Sequence, residues 1–468
     1  AVDYNTQRLS SGSEQRYNAL GYTCAACHTG HMTYKGTAIR YDGGPAMTDI
    51  VSFTKALFFA LVETEIDNLR FQRFAARVLK DKDTPEARKA LKKALSKTLL
   101  AIIREVIKPI TTNLEDSIVA EIDDKDPKNP KLKQLISDAK ASFTTLEGFG
   151  RLDALNRIGN TVFAGDAHKP KNYATPNAPV NYPHIWSASW FDWVQYDGSI
   201  MQPMVRNAGE ALGVSAEVEL LKTDKDPFNS TVPVKNVYKI EELLAGEAPN
   251  GEKEKGFKGL KAPKWPEDIL GEIDTTKLKR GAKLYQQHCQ SCHLPPVNSR
   301  ECWEEKYWST TNSNNERLMT TTMTCLDKPE PTQDKSDKKP DCTGVIGTDP
   351  AQANILVNRM VDVSGIDING TKIGGWSKTQ KDKDNNSPVI GCEPQTIGDC
   401  DHQPFAFALG AVVQKTVHHW YDKHNISAEE QDKLNGYRPN CLRAPKAYKA
   451  RPLNGIWATA PFLRNGPV

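Results

Sequence analysis

Two pentapeptides carry the most specific chemistry in the chain: Cys24-Ala25-Ala26-Cys27-His28 and Cys289-Gln290-Ser291-Cys292-His293. Each reads Cys-x-x-Cys-His, the attachment signature of a c-type haem. Two thiols at this spacing reach both vinyl groups along one edge of the macrocycle as thioethers. The adjacent histidine then offers its imidazole to the iron. A zinc site would instead gather both Cys pairs on one ion, without a histidine fixed directly behind each pair. Repetition of the full motif favours two covalent haem c groups, with His28 and His293 as iron ligands, over zinc or a coincidental redox pair.

The elements that must position these motifs follow from local patterning. A helix-like run is expected before each, Ser13 to Leu20 and Lys277 to His288. Gly43-Gly44-Pro45 signals a turn, followed by a helical stretch with Phe53, Leu57, Leu61 and Ile66 on one face. Over about 80–145 the composition shifts to Lys, Ala, Leu, Ile and Asp. Leu91, Leu95, Leu99, Ile102 and Val106 recur at helical steps there, as do Leu132, Leu135, Ile136 and Ala139. An inserted helical hairpin with a solvated lysine face explains this better than a lid over an apolar substrate. Aromatic residues then cluster from Tyr182 to Tyr196, including Trp186, Trp190 and Trp193, as covering a large flat cofactor requires. Beyond Gly246 a Gly/Lys/Pro-rich stretch reads as a linker. Two polar, lysine-rich loops, 326–341 and 377–388, and an apolar helix from Phe405 to Tyr421 follow. The expected fold is mainly α: an N-terminal haem domain over 1–255, a linker over 256–276, and a C-terminal haem domain over 277–468 with long irregular loops.

Composition narrows the function. A net charge of +3, with lysines interspersed among acids, gives no electrostatic case for nucleic acid. No apolar run approaches the roughly 18 residues that span a bilayer, and Ala56 to Val62 is the longest candidate. The opening Ala1-Val2-Asp3 fits a mature protein relieved of a signal peptide. Of ten cysteines, four lie in the motifs. The six others, Cys302, Cys325, Cys342, Cys392, Cys400 and Cys441, all follow the second motif in loop-like sequence. That pattern suggests disulfides and an oxidising compartment, periplasmic or extracellular. Cys325–Cys342 and Cys392–Cys400 are the local pairings, with scattered free thiols as the alternative. No dinucleotide, phosphate-loop or His-Glu-x-x-His fingerprint appears.

Two haem motifs in one chain, a Trp-rich segment ending in Tyr196-Asp197-Gly198, and the late run Ala460-Pro461-Phe462-Leu463-Arg464-Asn465-Gly466 together resemble the di-haem cytochrome c peroxidase superfamily. Met201-Gln202-Pro203-Met204-Val205-Arg206-Asn207-Ala208-Gly209-Glu210-Ala211-Leu212-Gly213 narrows the likeness. With Arg438-Pro439-Asn440-Cys441-Leu442-Arg443-Ala444-Pro445 and Tyr448-Lys449-Ala450-Arg451-Pro452-Leu453, it is similar to the rubber-oxygenase branch, whose relatives include fatty-acid dioxygenases and diol synthases.

The resemblance implies that Trp186 is the tryptophan between the haems and helps electrons pass. Peroxidases of the superfamily hold a carboxylate or amide above the open haem, where a positioned acid–base group is worth roughly 10²–10⁴ in rate. The equivalent position here falls at or beside Met201, which cannot transfer protons and is expected to pack rather than ligate iron; Gln202 is adjacent. His31 stands too close to His28 to reach the opposite face of the ring. Relatives supply the far ligand of the second haem from beyond the Ala-Pro-Phe-Leu motif, and Arg464 stands where a histidine is common. His402, His418, His419 and His424 are candidates only by being histidines in that half. The implied activity is dioxygenation of an apolar alkene, polyisoprene or an unsaturated fatty acid, by O2 at the N-terminal haem. A peroxidase fed by a small electron-donor protein and a non-enzymatic electron carrier are the alternatives. The likeness also implies a calcium ion between the domains.

Overall fold

The computed structural model describes residues 4–7, 16–19, 21–102, 147–247, 258–309, 316–327, 342–374 and 395–462. The expected helix before the first motif is replaced by a strand. β1 (Tyr4–Gln7) pairs antiparallel with β2 (Arg16–Ala19), in the register Tyr4↔Ala19. Each strand satisfies the other's backbone groups, a long-range option that local periodicity does not reveal. The first motif leads directly into a hairpin, β3 (Thr29–Tyr34) with β4 (Thr37–Asp42).

Three helices follow. Asp49 opens α1 (Ile50–Ile66) by accepting the Ser52 N–H at 2.9 Å, so one of the donors left free at a helix start is satisfied. Asp67 caps α2 (Asn68–Leu79) in the same way through Leu69 and Arg70. α3 (Pro85–Ile102) packs against both, burying Leu95 and Leu99 as the periodicity predicts. Val106 and the repeat from Leu132 lie outside the described residues. The buried face of α1 is Val51, Phe58 and Val62, while Phe53 and Leu57 stay exposed. α1 is apolar on nearly every side, so spacing alone could not select the inward face.

The largest core draws on both sides of the expected linker. Phe163, Leu212 and Leu220 meet Phe405, Val412 and Tyr421 there, all fully buried. α4 (Pro203–Val214) lies against α5 (Phe405–Lys423), the apolar helix expected from Phe405 onward. Arg359 fastens this region: its guanidinium donates to Asn156 Oδ1 at 3.1 Å, Asn160 Oδ1 at 3.0 Å and Asn172 O at 2.9 Å. Its charge stacks 4.8 Å from the centre of the Phe405 ring. Strand pairing among the described residues is confined to separate two-stranded antiparallel ribbons, so helices and irregular chain carry the architecture.

Cys325–Cys342 forms as the spacing predicts, and Cys441 is also disulfide-bonded. Cys400 is free and exposed, so the expected Cys392–Cys400 pairing does not form. Its carbonyl instead accepts from Gln403 Nε2 at 2.9 Å in a local turn. No helix among the described residues is long and apolar enough to cross a membrane.

Phe405 is 0% exposed and makes an edge-on contact with Phe163 at 6.2 Å between ring centres. Truncating such a side chain costs about 3–5 kcal/mol. Denaturant unfolding of Phe405→Ala is expected to show a loss in this range; a loss below about 1 kcal/mol would contradict the assigned packing.

Candidate functional site

Cys24–Ala26 form a single 3₁₀ turn, which brings His28 N–H within 3.0 Å of Cys24 O. The glycine turn anticipated from sequence pins this loop: Gly43 N–H donates to His28 O at 2.8 Å and Ala46 N–H to Cys27 O at 3.0 Å. Gly43 O in turn accepts the Ile185 N–H at 2.8 Å, so the first motif is bonded to the aromatic segment. His28 Nδ1 lies 2.8 Å from Pro183 O. A carbonyl can only accept, so Nδ1 carries the proton and Nε2 is left free to ligate a metal. Burial lowers the His28 pKa, which favours the neutral imidazole that ligation requires.

The second motif is built differently and ends the same way. Helix Thr275–His288, expected from Lys277 onward, delivers Cys289 to the turn Gln290–His293. Tyr285 on that helix donates to Leu294 O, and Gln290 Nε2 bonds the Glu301 carboxylate. Leu294 is buried beside Trp190, Trp303 and Trp308. His293 Nδ1 lies 2.7 Å from Arg451 O, which again leaves Nε2 free. Both donor sets therefore fit a covalently held haem: Cys24, Cys27, Cys289 and Cys292 carry free thiols, and each histidine is oriented by a main-chain acceptor.

Trp186 is 1% exposed, and its indole N–H donates to Asn454 O at 3.0 Å. His184 stacks on it at 4.5 Å between centres and 25° between planes. Gly455 makes room for the indole: a Cβ there would sit only 3.0 Å from Trp186 Cζ2. Met201 is likewise 1% exposed, with its N–H on Cys441 O. Gln202 is buried, and its Nε2 donates to Arg438 O at 2.9 Å.

Several residues near these groups escaped the sequence reading. Glu210 on α4 exerts a field on both Cys24 and His28; it is exposed and accepts from Gln195 Nε2 at 2.8 Å. Lys449 is buried, with Nζ on Trp193 O at 2.9 Å and over the Phe191 ring at 4.5 Å. Asp197 is wholly buried, and burial raises its pKa against the opposing effect of Ser199 beside it. Lys449 and Arg451 were visible only as part of a motif. Strand Ala447–Ala450, paired with Thr322–Cys325, turns every second side chain to one side, toward residues 184–193.

The other candidate histidines lie exposed or are engaged elsewhere. His31 is exposed on β3, and His402 lies exposed on the strand His402–Pro404. His419 Nε2 is 3.2 Å from Asp226, His424 stacks on Trp420 at 4.1 Å, and His418 packs beside Tyr421. No group of three or more His, Cys, Asp or Glu residues able to hold a metal ion occurs among the described residues.

Comparison with known proteins bears on this site. A family model described as "RoxA-like, cytochrome c-like" matches residues 447–468, the stretch that contains Lys449 and Arg451. The match shows that this stretch is similar to RoxA-like, cytochrome c-like proteins. A protein of Sinorhizobium fredii (strain NBRC 101917 / NGR234), named "Uncharacterized protein y4iJ", is 43% identical over 451 residues. The alignment takes in 96% of this chain and 63% of that protein, so the chain spans less than two thirds of this relative's length. No solved structure matches.

Burial pushes the Lys449 amine well below the ordinary lysine range, with the Arg451 charge adding to the effect. In the unfolded chain the amine holds its proton up to about pH 10.4. Between the folded and unfolded values the unfolded chain binds the extra proton, so stability rises with pH by up to about 1.4 kcal/mol per unit. Unfolding measured from roughly pH 7 to 10 should show this rise in the native chain and lose it in Lys449→Met. Equal slopes in both would contradict the assignment.

Proposed function

We propose that the chain is a di-haem c-type oxidoreductase whose N-terminal haem activates O2 for dioxygenation of an apolar alkene, either polyisoprene or an unsaturated fatty acid. The haem at Cys289, Cys292 and His293 relays or tunes charge in this reading. The carrying observation is the state of Met201 and Gln202. The first is packed away from water, and the second has its amide donor bonded to Arg438 O, so neither is free to move protons. Peroxide cleavage needs such proton movement, whereas a dry, apolar setting suits O2 beside an apolar substrate.

A bound haem supplies redox-active iron and the activation of O2. The chain's own residues do the rest. Pro183 O and Arg451 O orient the two imidazoles. Trp186, stacked on His184, offers a polarisable path between the centres. Disulfides suit a periplasmic or extracellular location.

Peroxide reduction with a small redox protein as electron donor is the second reading, and Glu210 is the observation that favours it. Its carboxylate is a potential acid–base group whose field reaches both Cys24 and His28.

Purified holoprotein should contain two haems per chain by the pyridine haemochrome assay, and a single one in Cys24→Ala/Cys27→Ala. The reduced native protein should bind CO at one haem. Six-coordination at both irons would instead indicate an electron carrier.

Incubation with polyisoprene latex or oleate under O2 is expected to give terpenoid aldehyde-ketones or a hydroperoxide, respectively. Glu210→Gln should leave that activity within about threefold of native. A loss of roughly 10²–10⁴ in peroxide turnover, with no alkene product from either protein, would select the peroxidase instead.

A further inference from the structure

The two motifs stand far apart in sequence, yet their histidines are joined through one continuous run of bonds. His28 Nδ1–H donates to Pro183 O at 2.8 Å. The next carbonyl along the chain, His184 O, accepts from the Arg451 guanidinium. Arg451 O then accepts the His293 Nδ1–H at 2.7 Å. Arg451 therefore grips the segment that orients His28 with its side chain, and orients His293 with its main chain.

The surroundings hold this residue in place. Strand Ala447–Ala450 is buried along its whole length and pairs with Thr322–Cys325, whose last residue is tied by the Cys325–Cys342 bridge. Pro452 follows at once and is buried, which fixes the chain as it leaves the strand. Arg451 Nε has no partner, so the guanidinium is committed through its bond to His184 O. Trp186 runs alongside, stacked on the same His184.

We propose that Arg451 is a positioning residue that sets the orientation of both iron-ligating imidazoles at once. The strength and direction of the Nδ1–H bond tune an imidazole's basicity and ring rotation, and through them the properties of the metal it binds. A side chain that ties the two acceptor segments together makes these properties interdependent. A bonded path through the main chain then links the two histidines, with the Trp186 indole stacked beside it on His184. This inference rests on haem at both motifs and is indifferent to whether the substrate is an alkene or a peroxide.

The test uses holoprotein of Arg451→Met and Arg451→Lys. Haem content is measured first, so that loss of attachment is told apart from loss of coupling. Redox titration followed by electron paramagnetic resonance then reads each haem separately. In Arg451→Met the midpoint potential and g-values are expected to shift at both haems, although only His293 bonds the residue directly. Arg451→Lys keeps the charge but not the planar fork, and should shift both in the same direction to a smaller extent. It also serves if the Met variant fails to fold. A change confined to either haem alone, an unchanged pair of spectra, or a native protein holding fewer than two haems would each overturn the proposal.

Discussion

The structure depends on two hydrogen bonds, each from an imidazole Nδ1–H to a main-chain carbonyl supplied from far along the chain. Pro183 provides one and Arg451 the other. Each bond turns the opposite ring nitrogen outward and fixes which tautomer is present. Each attachment loop takes its acceptor from a distant part of the chain. The short loops at Cys24–Ala26 and Gln290–His293 therefore need the tertiary fold before they can orient a ligand.

Burial around these bonds shapes what the centre can do. Trp186, Met201 and the cluster of Trp190, Trp303 and Trp308 exclude water, which strengthens every electrostatic interaction left inside. The exceptions are themselves informative. Lys449, Asp192 and Asp197 lie buried in the same region, with the Lys449 amine held by Trp193 O. Arg206 and Glu241 pair nearby inside the fold. An apolar wall at Met201 and a carboxylate at Glu210 pull the functional reading in opposite directions. The first is fully enclosed and the second exposed, so Met201 carries more weight for chemistry that must occur away from solvent.

What the sequence made legible was the chemistry whose signature is local. Cys-x-x-Cys-His carries its proposed role in its own spacing, and the helices at Pro85–Ile102 and Phe405–Lys423 follow from apolar spacing. The pairing Cys325–Cys342 was near enough in sequence to anticipate. The acceptors for His28 and His293 were not legible, because any residue type can present a main-chain carbonyl. The strand Arg16–Ala19 is not legible from the run Ser13 to Leu20 because its partner Tyr4–Gln7 lies outside that run. The inward face of α1 is not legible from spacing because nearly all its faces are apolar. Lys449 and Arg451 stood in a recognised motif without a role, since their common side becomes apparent only once residues 447–450 are known to form a strand.

The central claim is that an O2 molecule is delivered whole to an alkene at the first haem site. Isotopic labelling tests it most directly: purified holoprotein, the only protein present, turns over polyisoprene or an unsaturated fatty acid under ¹⁸O₂, and the product is weighed by mass spectrometry. Both oxygen atoms of the product are expected to carry the label. Product formed without label from ¹⁸O₂, or oxidation that proceeds only when hydrogen peroxide is supplied, would contradict it.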